Sequence, residues 1–138
     1  MPRQSTVSKA RTALRQGKRP STAAGAFVRE EIEHVRAGKH GARSASQAVA
    51  IGLSKARRAG VPLEPPAKGR TAERTRHSAQ RAYEVGRGER TPRAPSRRRR
   101  TATRAALERE PRATTSRRAL SKQAKGAASR RRRAGRAA

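Results

Sequence analysis

The chain has 138 residues, a formal net charge of +28 and a sequence pI near 12.0. Hydrophobic residues make up 32%, below the ~45–50% usual for a globular chain, and Phe27 and Tyr83 are the only aromatic side chains. These values exclude two full domains and a large core, and they predict a small folded unit flanked by disordered basic arms.

Residues 1–20 form a basic N-terminal arm. Val7, Ala10 and Leu14 have helical spacing, and Gly17 and Pro20 stop it. A helix this short is marginal in water and is expected to fray or to order on a partner. Residues 21–63 have the clearest folding signals. Ser21 or Thr22 caps a helix on which Ala24, Val28, Ile32 and Val35 form an apolar stripe with Phe27 beside it. Gly38 ends that helix in the left-handed region. Ser44-Ala45-Ser46-Gln47 fits a capping box, and Ala45, Val49, Leu53 and Ala56 share one face of the helix it opens. Gly60 and Pro62 close it. The fold class read from this pattern is all-α: a helical hairpin in which Phe27, Ile32, Val49 and Leu53 face one another. At about 40 residues it needs the arm, a third helix, a second copy or nucleic acid to be stable.

Residues 64–95 read as a linker with a third helix over 71–85, carrying Ala72, Ala79 and Tyr83 and stopped by Gly86. Residues 96–138 are an Arg-rich tail of low complexity. Thr101–Glu110 and Ser116–Ala128 have helical propensity but little to bury, so disorder is expected in the free chain.

The sign of the charge points to a polyanion: DNA first, RNA second, with an anionic membrane surface also to be considered. Thirty Arg against seven Lys suits bidentate phosphate contacts, and a GC-rich genome also favours Arg. Arg97, Arg98, Arg99 and Arg100 open the tail, and Arg130, Arg131, Arg132 and Arg133 nearly close it. Each run, if extended, places four guanidinium groups within ~14 Å, enough to span several phosphates. Arg117 and Arg118 lie between them, and Arg57 and Arg58 end the second hairpin helix. Lys39, His40 and Arg43 precede the N-terminus of that helix, where free N–H groups and the dipole favour an anion beside Ser44 and Ser46; a plain exposed cap is the simpler reading.

Other chemistry finds little footing. With no Cys and no Asp there is no disulfide, no Cys-based zinc site and no Ser-His-Asp set. His34 and His40 sit six apart across a helix end and His77 is remote, so no metal site or other cofactor is expected. Glu30, Glu31 and Glu33 read as offsets to basic neighbours rather than as acid/base groups, and no enzyme activity is expected. The hairpin connection is longer than a helix-turn-helix turn, which argues against base reading. No apolar run reaches the ~18 residues of a membrane span, and Met1–Lys9 lacks the apolar stretch of a signal peptide, so a cytoplasmic, nucleoid-associated protein is expected.

Three resemblances bear on this reading. Gly17-Lys18-Arg19-Pro20 resembles the Gly-Arg-Pro core of AT-hooks, with Lys18 intruding and Gln16 in place of the usual Arg. Ser44–Gly60, with Phe27-Val28-Arg29-Glu30 and Gly38-Lys39-His40 before it and Ser116–Ala124 after it, resembles small basic bacterial proteins of an uncharacterised family. Some of these carry labels such as plasmid stabilisation or DNA-binding protein. The tail, with its Thr91-Pro92-Arg93 approach, is similar to bacterial linker-histone-like proteins, which favour Lys where this chain favours Arg. The family resemblance implies a small basic bacterial protein; the charge and the arginine runs are what point to sequence-tolerant DNA binding through Arg/Lys–phosphate contacts. An RNA- or ribosome-associated protein is the first alternative. A protein-interaction module localised by its tails is the second, with the hairpin as a surface for homo-oligomers.

Overall fold

The computed structural model describes residues 1–137, so Ala138 of the tail lies outside the described residues. Those residues form six α-helices, one short 3-10 helix and no strand: α1 (Gln4–Arg15), α2 (Pro20–Arg36), α3 (Ala45–Arg58), α4 (Glu73–Gly86), α5 (Arg97–Glu108), η1 (Arg112–Thr115) and α6 (Arg117–Arg136). The fold is all-α, as the patterning predicts.

The helix ends follow the punctuation of the sequence. Pro20 occupies the first turn of α2, where its missing N–H is no loss. Gly38 and Gly60, with φ of 74° and 94°, end α2 and α3 in the region that disfavours a Cβ. Ser44 caps α3, its Oγ accepting from Gln47 N at 3.1 Å. Gln47 Oε1 in turn accepts from Arg43 N at 2.6 Å, one residue before the cap.

α2 and α3 pack together, but the core is not that of a hairpin. α1 lies against α2 and α4 against α3. The main cluster joins Ala10 of α1, Ala23, Ala24 and Phe27 of α2, Ala56 of α3, and Val61, with Leu14, Leu53 and Leu63 around it. Phe27 is a core residue, as expected, and Leu53 is half-buried but packs against the cluster. Ile32 and Val49 are half-buried and lie outside this cluster. The buried face of α2 is instead Ala23, Ala24, Phe27, Glu30, Glu31 and Val35.

Alanine dominates because the helices approach closely. A Cβ at Gly52 of α3 would lie 2.6 Å from Val28 Cα of α2, inside any normal contact. Gly86, the last residue of α4, meets α3 in the same way, at the Arg57 carbonyl, so it serves close packing where the helix ends.

The expected disordered arms are folded. The N-terminal arm becomes α1, because a hydrophobic face meets α2 and because Glu30 receives its N-terminus. Arg3 N donates to Glu30 Oε1 at 3.0 Å and Oε2 at 3.3 Å. Burial pushes the Glu30 carboxyl up, but Thr6, the Arg3 N–H, His34 and Lys55 outweigh it and hold the group below its ordinary value.

The tail is anchored by backbone groups. Gly41 N donates to Leu107 O at 2.7 Å, and a side chain at Gly41 would strike the Glu110 carbonyl. Arg36 clamps the fully buried Thr115 through its carbonyl, with Nε at 3.2 Å and Nη2 at 3.0 Å. Ser116 then caps α6 by accepting from Ala119 N, and α6 runs past α3 and η1.

Candidate nucleic-acid interface

α6 is two-faced in a way its composition hides. At 100° per residue, Arg118, Lys122, Lys125, Arg132, Arg133 and Arg136 fall within a sector of about 100°, and all six are exposed. Leu120, Gln123, Ala127 and Ala134 lie roughly opposite and are half-buried, as are Ala119 and Gly126 on the flank beside Arg133. The helix therefore shields this side only partly, with no side chain fully buried, and turns a basic ridge outward. From Arg118 to Arg136 the ridge is about 27 Å long, the length of duplex that carries about 16 phosphate charges. Among the described residues none of these six cations enters an ion pair. Arg117, Arg130 and Arg131 are also exposed but lie off the ridge.

Arg97, Arg98, Arg99 and Arg100 form the first turn of α5 behind the cap Ser96, whose Oγ accepts from Arg99 N at 3.3 Å. The extended reading of this run, like that of Arg130–Arg133, is corrected: both runs are helical. Four residues then rise about 4.5 Å and fan their guanidinium groups around the helix axis. Four cations in the first turn oppose the helix dipole, and no carboxylate within α5 meets them before Glu108, which pairs with Arg104 at 2.9 Å. No residue of α5 is buried.

The remaining expected contacts divide. Lys18 and Arg19 are exposed in the α1–α2 turn. That turn is structured by Gly17 and by Pro20 at the start of α2, whereas a hook needs an extended strand. Lys39 and Arg43 are exposed, but the cap of α3 is filled by Ser44 and Gln47, and His40 turns inward. Arg58 is exposed. Arg57 is not a phosphate ligand in this fold: it is 8% exposed, and its Nε and Nη2 donate to Leu63 O at 3.0 Å and Glu64 O at 3.3 Å. Burial pushes its guanidinium below the ordinary value. It fastens the chain leaving α3, a role that a basic helix end does not announce.

The burial of the acids was not legible in the sequence. Glu30 and Glu31 have basic neighbours but meet them inside the fold, where both are buried. Glu31 is 1% exposed and its Oε1 accepts a hydrogen bond from Lys55 Nζ of α3. His34 lies on the next turn, with Nδ1 3.6 Å from Glu31 Oε1 and Nε2 3.5 Å from Glu30 Oε1. Burial holds His34 below its ordinary pKa, against the pull of Glu31 and Glu30. His40 reaches in from the α2–α3 loop, placing Nε2 3.2 Å from Glu31 Oε2. Glu31, His34 and His40 are thus brought together, although their spacing suggested no ligand set. The available signal for Glu31 and His34 was their helical phase with Phe27 and Val35; the loop residue His40 carried none.

Compared with family models, curated proteins and solved structures, the chain matches none. Among the described residues no helix is long and apolar enough to cross a membrane.

Proposed function

We propose that this protein binds duplex DNA through Arg and Lys contacts to phosphates, with little sequence preference, as a nucleoid-associated protein and not as an enzyme. The observation that carries this reading is the α6 ridge. Six exposed cations without carboxylate partners lie along one face of a helix whose other face is no more than half-buried. Paired or solvated surface charge usually comes with mixed signs, but from Ser96 onward sixteen Lys and Arg stand against two Glu. The Arg97–Arg100 turn adds a second cationic surface, and Lys18, Arg19, Lys39, Arg43 and Arg58 are further exposed cations. Near-absence of exposed aromatic rings disfavours a stacking mode for single strands.

The test is the salt dependence of affinity. Each phosphate neutralised on B-DNA contributes about 0.9 to the log–log slope. Replacing Lys122, Lys125, Arg132 and Arg136 by Gln removes up to four contacts, so the slope should fall by about 2–4, equally on A·T-rich and G·C-rich duplexes. An unchanged slope would remove α6 from the interface. Tighter binding to structured RNA than to duplex DNA would move the reading to an RNA-associated protein. Salt-insensitive binding to both would leave the cations as mere localising charge for a protein partner.

A further inference from the structure

The second chemical centre lies inside the fold, where Glu31 and His40 meet. His40 Nδ1 is 2.9 Å from the Gly41 carbonyl, which can only accept, so Nδ1 carries the proton. In the neutral ring Nε2 then bears a lone pair. It sits 3.2 Å from Glu31 Oε2, itself an acceptor, and that oxygen is buried with no hydrogen-bond partner. Two lone pairs held this close in a buried place require a positive species between them. Lys55 does not supply it, because its ammonium is on the other oxygen, Oε1.

We propose that Glu31, His34 and His40 bind one divalent transition-metal ion, zinc being the best match. Two imidazole nitrogens and one carboxylate oxygen are a donor set that zinc takes, with a water in the fourth position. The three ligand atoms lie within 4.8 Å of one another. Tetrahedral zinc with bonds near 2.0–2.1 Å sets its ligands about 3.3 Å apart, so closure by about 1.5 Å of side-chain movement completes the site. The supporting contacts are also in place. His40 donates its other nitrogen to a backbone carbonyl, and Lys55 holds the free oxygen of the carboxylate, the arrangement by which outer groups orient metal ligands. The ion would tie the α2–α3 loop to α2. Gly41 of that same loop holds the tail at Leu107, so the metal would brace the tail's anchor.

The experiment uses the full chain without a histidine tag, stripped with a chelator. Zinc chloride is titrated calorimetrically while the imidazole resonances of all three histidines are followed by NMR. One zinc should bind per chain, with a Kd in the micromolar range or tighter. The His34 and His40 signals should shift, and that of His77, which is exposed beside Glu73, should not. His34→Gln and His40→Gln should each weaken binding at least tenfold, and His77→Gln should leave it unchanged. The NMR readout is made on the unaltered chain, so it stands even where a variant fails to fold. No binding would overturn the proposal. Equal shifts of all three histidines would overturn it as adventitious surface binding.

Discussion

Alanine at Gly52 and alanine at Gly25 are the same chemical change with opposite expected outcomes. Both glycines are inside helices, so each replacement gains about 0.8–1 kcal/mol of helix propensity, including the loss of unfolded-state freedom. At Gly25 a Cβ meets nothing within 4 Å, and the full gain should appear as stabilisation. At Gly52 the new Cβ would sit 2.6 Å from Val28 Cα, 2.9 Å from Val28 N and 3.0 Å from Val28 Cγ2. Ordinary carbon contacts are about 3.5–4.0 Å, so α2 and α3 must part by about 1 Å. The nearest atoms are backbone and cannot swing aside. Overpacking of this kind costs about 1–3 kcal/mol. Because the propensity gain is common to both variants, the difference between them isolates that penalty. Gly52→Ala should therefore be about 1–3 kcal/mol less stable than Gly25→Ala. Urea unfolding followed by far-ultraviolet circular dichroism measures it, read as a shift in midpoint at constant m value. If the two variants have equal midpoints, the close approach of α2 and α3 at Gly52 is wrong.

Two further outcomes separate packing from binding. Phe27 is the largest fully buried apolar side chain among the described residues, and Phe27→Ala should lower stability by about 3–5 kcal/mol in the same assay; a loss below about 1 kcal/mol would mean that α1, α2 and α3 do not share a core. Arg57→Ala should destabilise by about 2–4 kcal/mol, by removing charged donors from Leu63 O and Glu64 O, while Arg58→Ala should leave the unfolding midpoint nearly unchanged and lower the DNA salt slope by at most about 1. The reverse pattern, with Arg58 structural and Arg57 dispensable to the fold, would refute the placement of these neighbours.

What the sequence made legible was local. Ser44, Gln47, Gly38 and Gly60 mark helix ends through hydrogen bonds and backbone conformations that involve near neighbours alone, so they can be read without knowing the fold. The partners of each face were harder. On α2, a polarity-based stripe selects Val28 and Ile32, yet the face that turns inward carries Glu30 and Glu31 between Phe27 and Val35. A carboxylate enters such a face only when distant groups meet it, here Arg3 N, Lys55 and His40. The tail was least legible for a related reason. Its attachment runs through Gly41 N, Leu107 O and Thr115 O, backbone groups that every residue possesses.

On the proposed reading, the same tail would couple binding to folding. Along α5, Arg97 and Arg100, and Arg100 and Arg104, are like charges one helical turn apart. Along α6, Arg118 and Lys122, Lys122 and Lys125, and Arg132 and Arg136 repeat the pattern. Each such pair disfavours the helix by about 0.2–0.5 kcal/mol in water, and no buried side chain in either helix offsets it. What holds these helices is therefore a small set of caps and backbone anchors working against repulsion. A polyanion laid along the ridge reverses the sign of that balance, because each phosphate neutralises cations that otherwise repel one another. It stabilises the bound conformation by mass action, in proportion to how far its concentration exceeds Kd. If the proposed reading holds, the arginines that make the tail resemble a disordered polymer are the part of the helices that a phosphate backbone would complete.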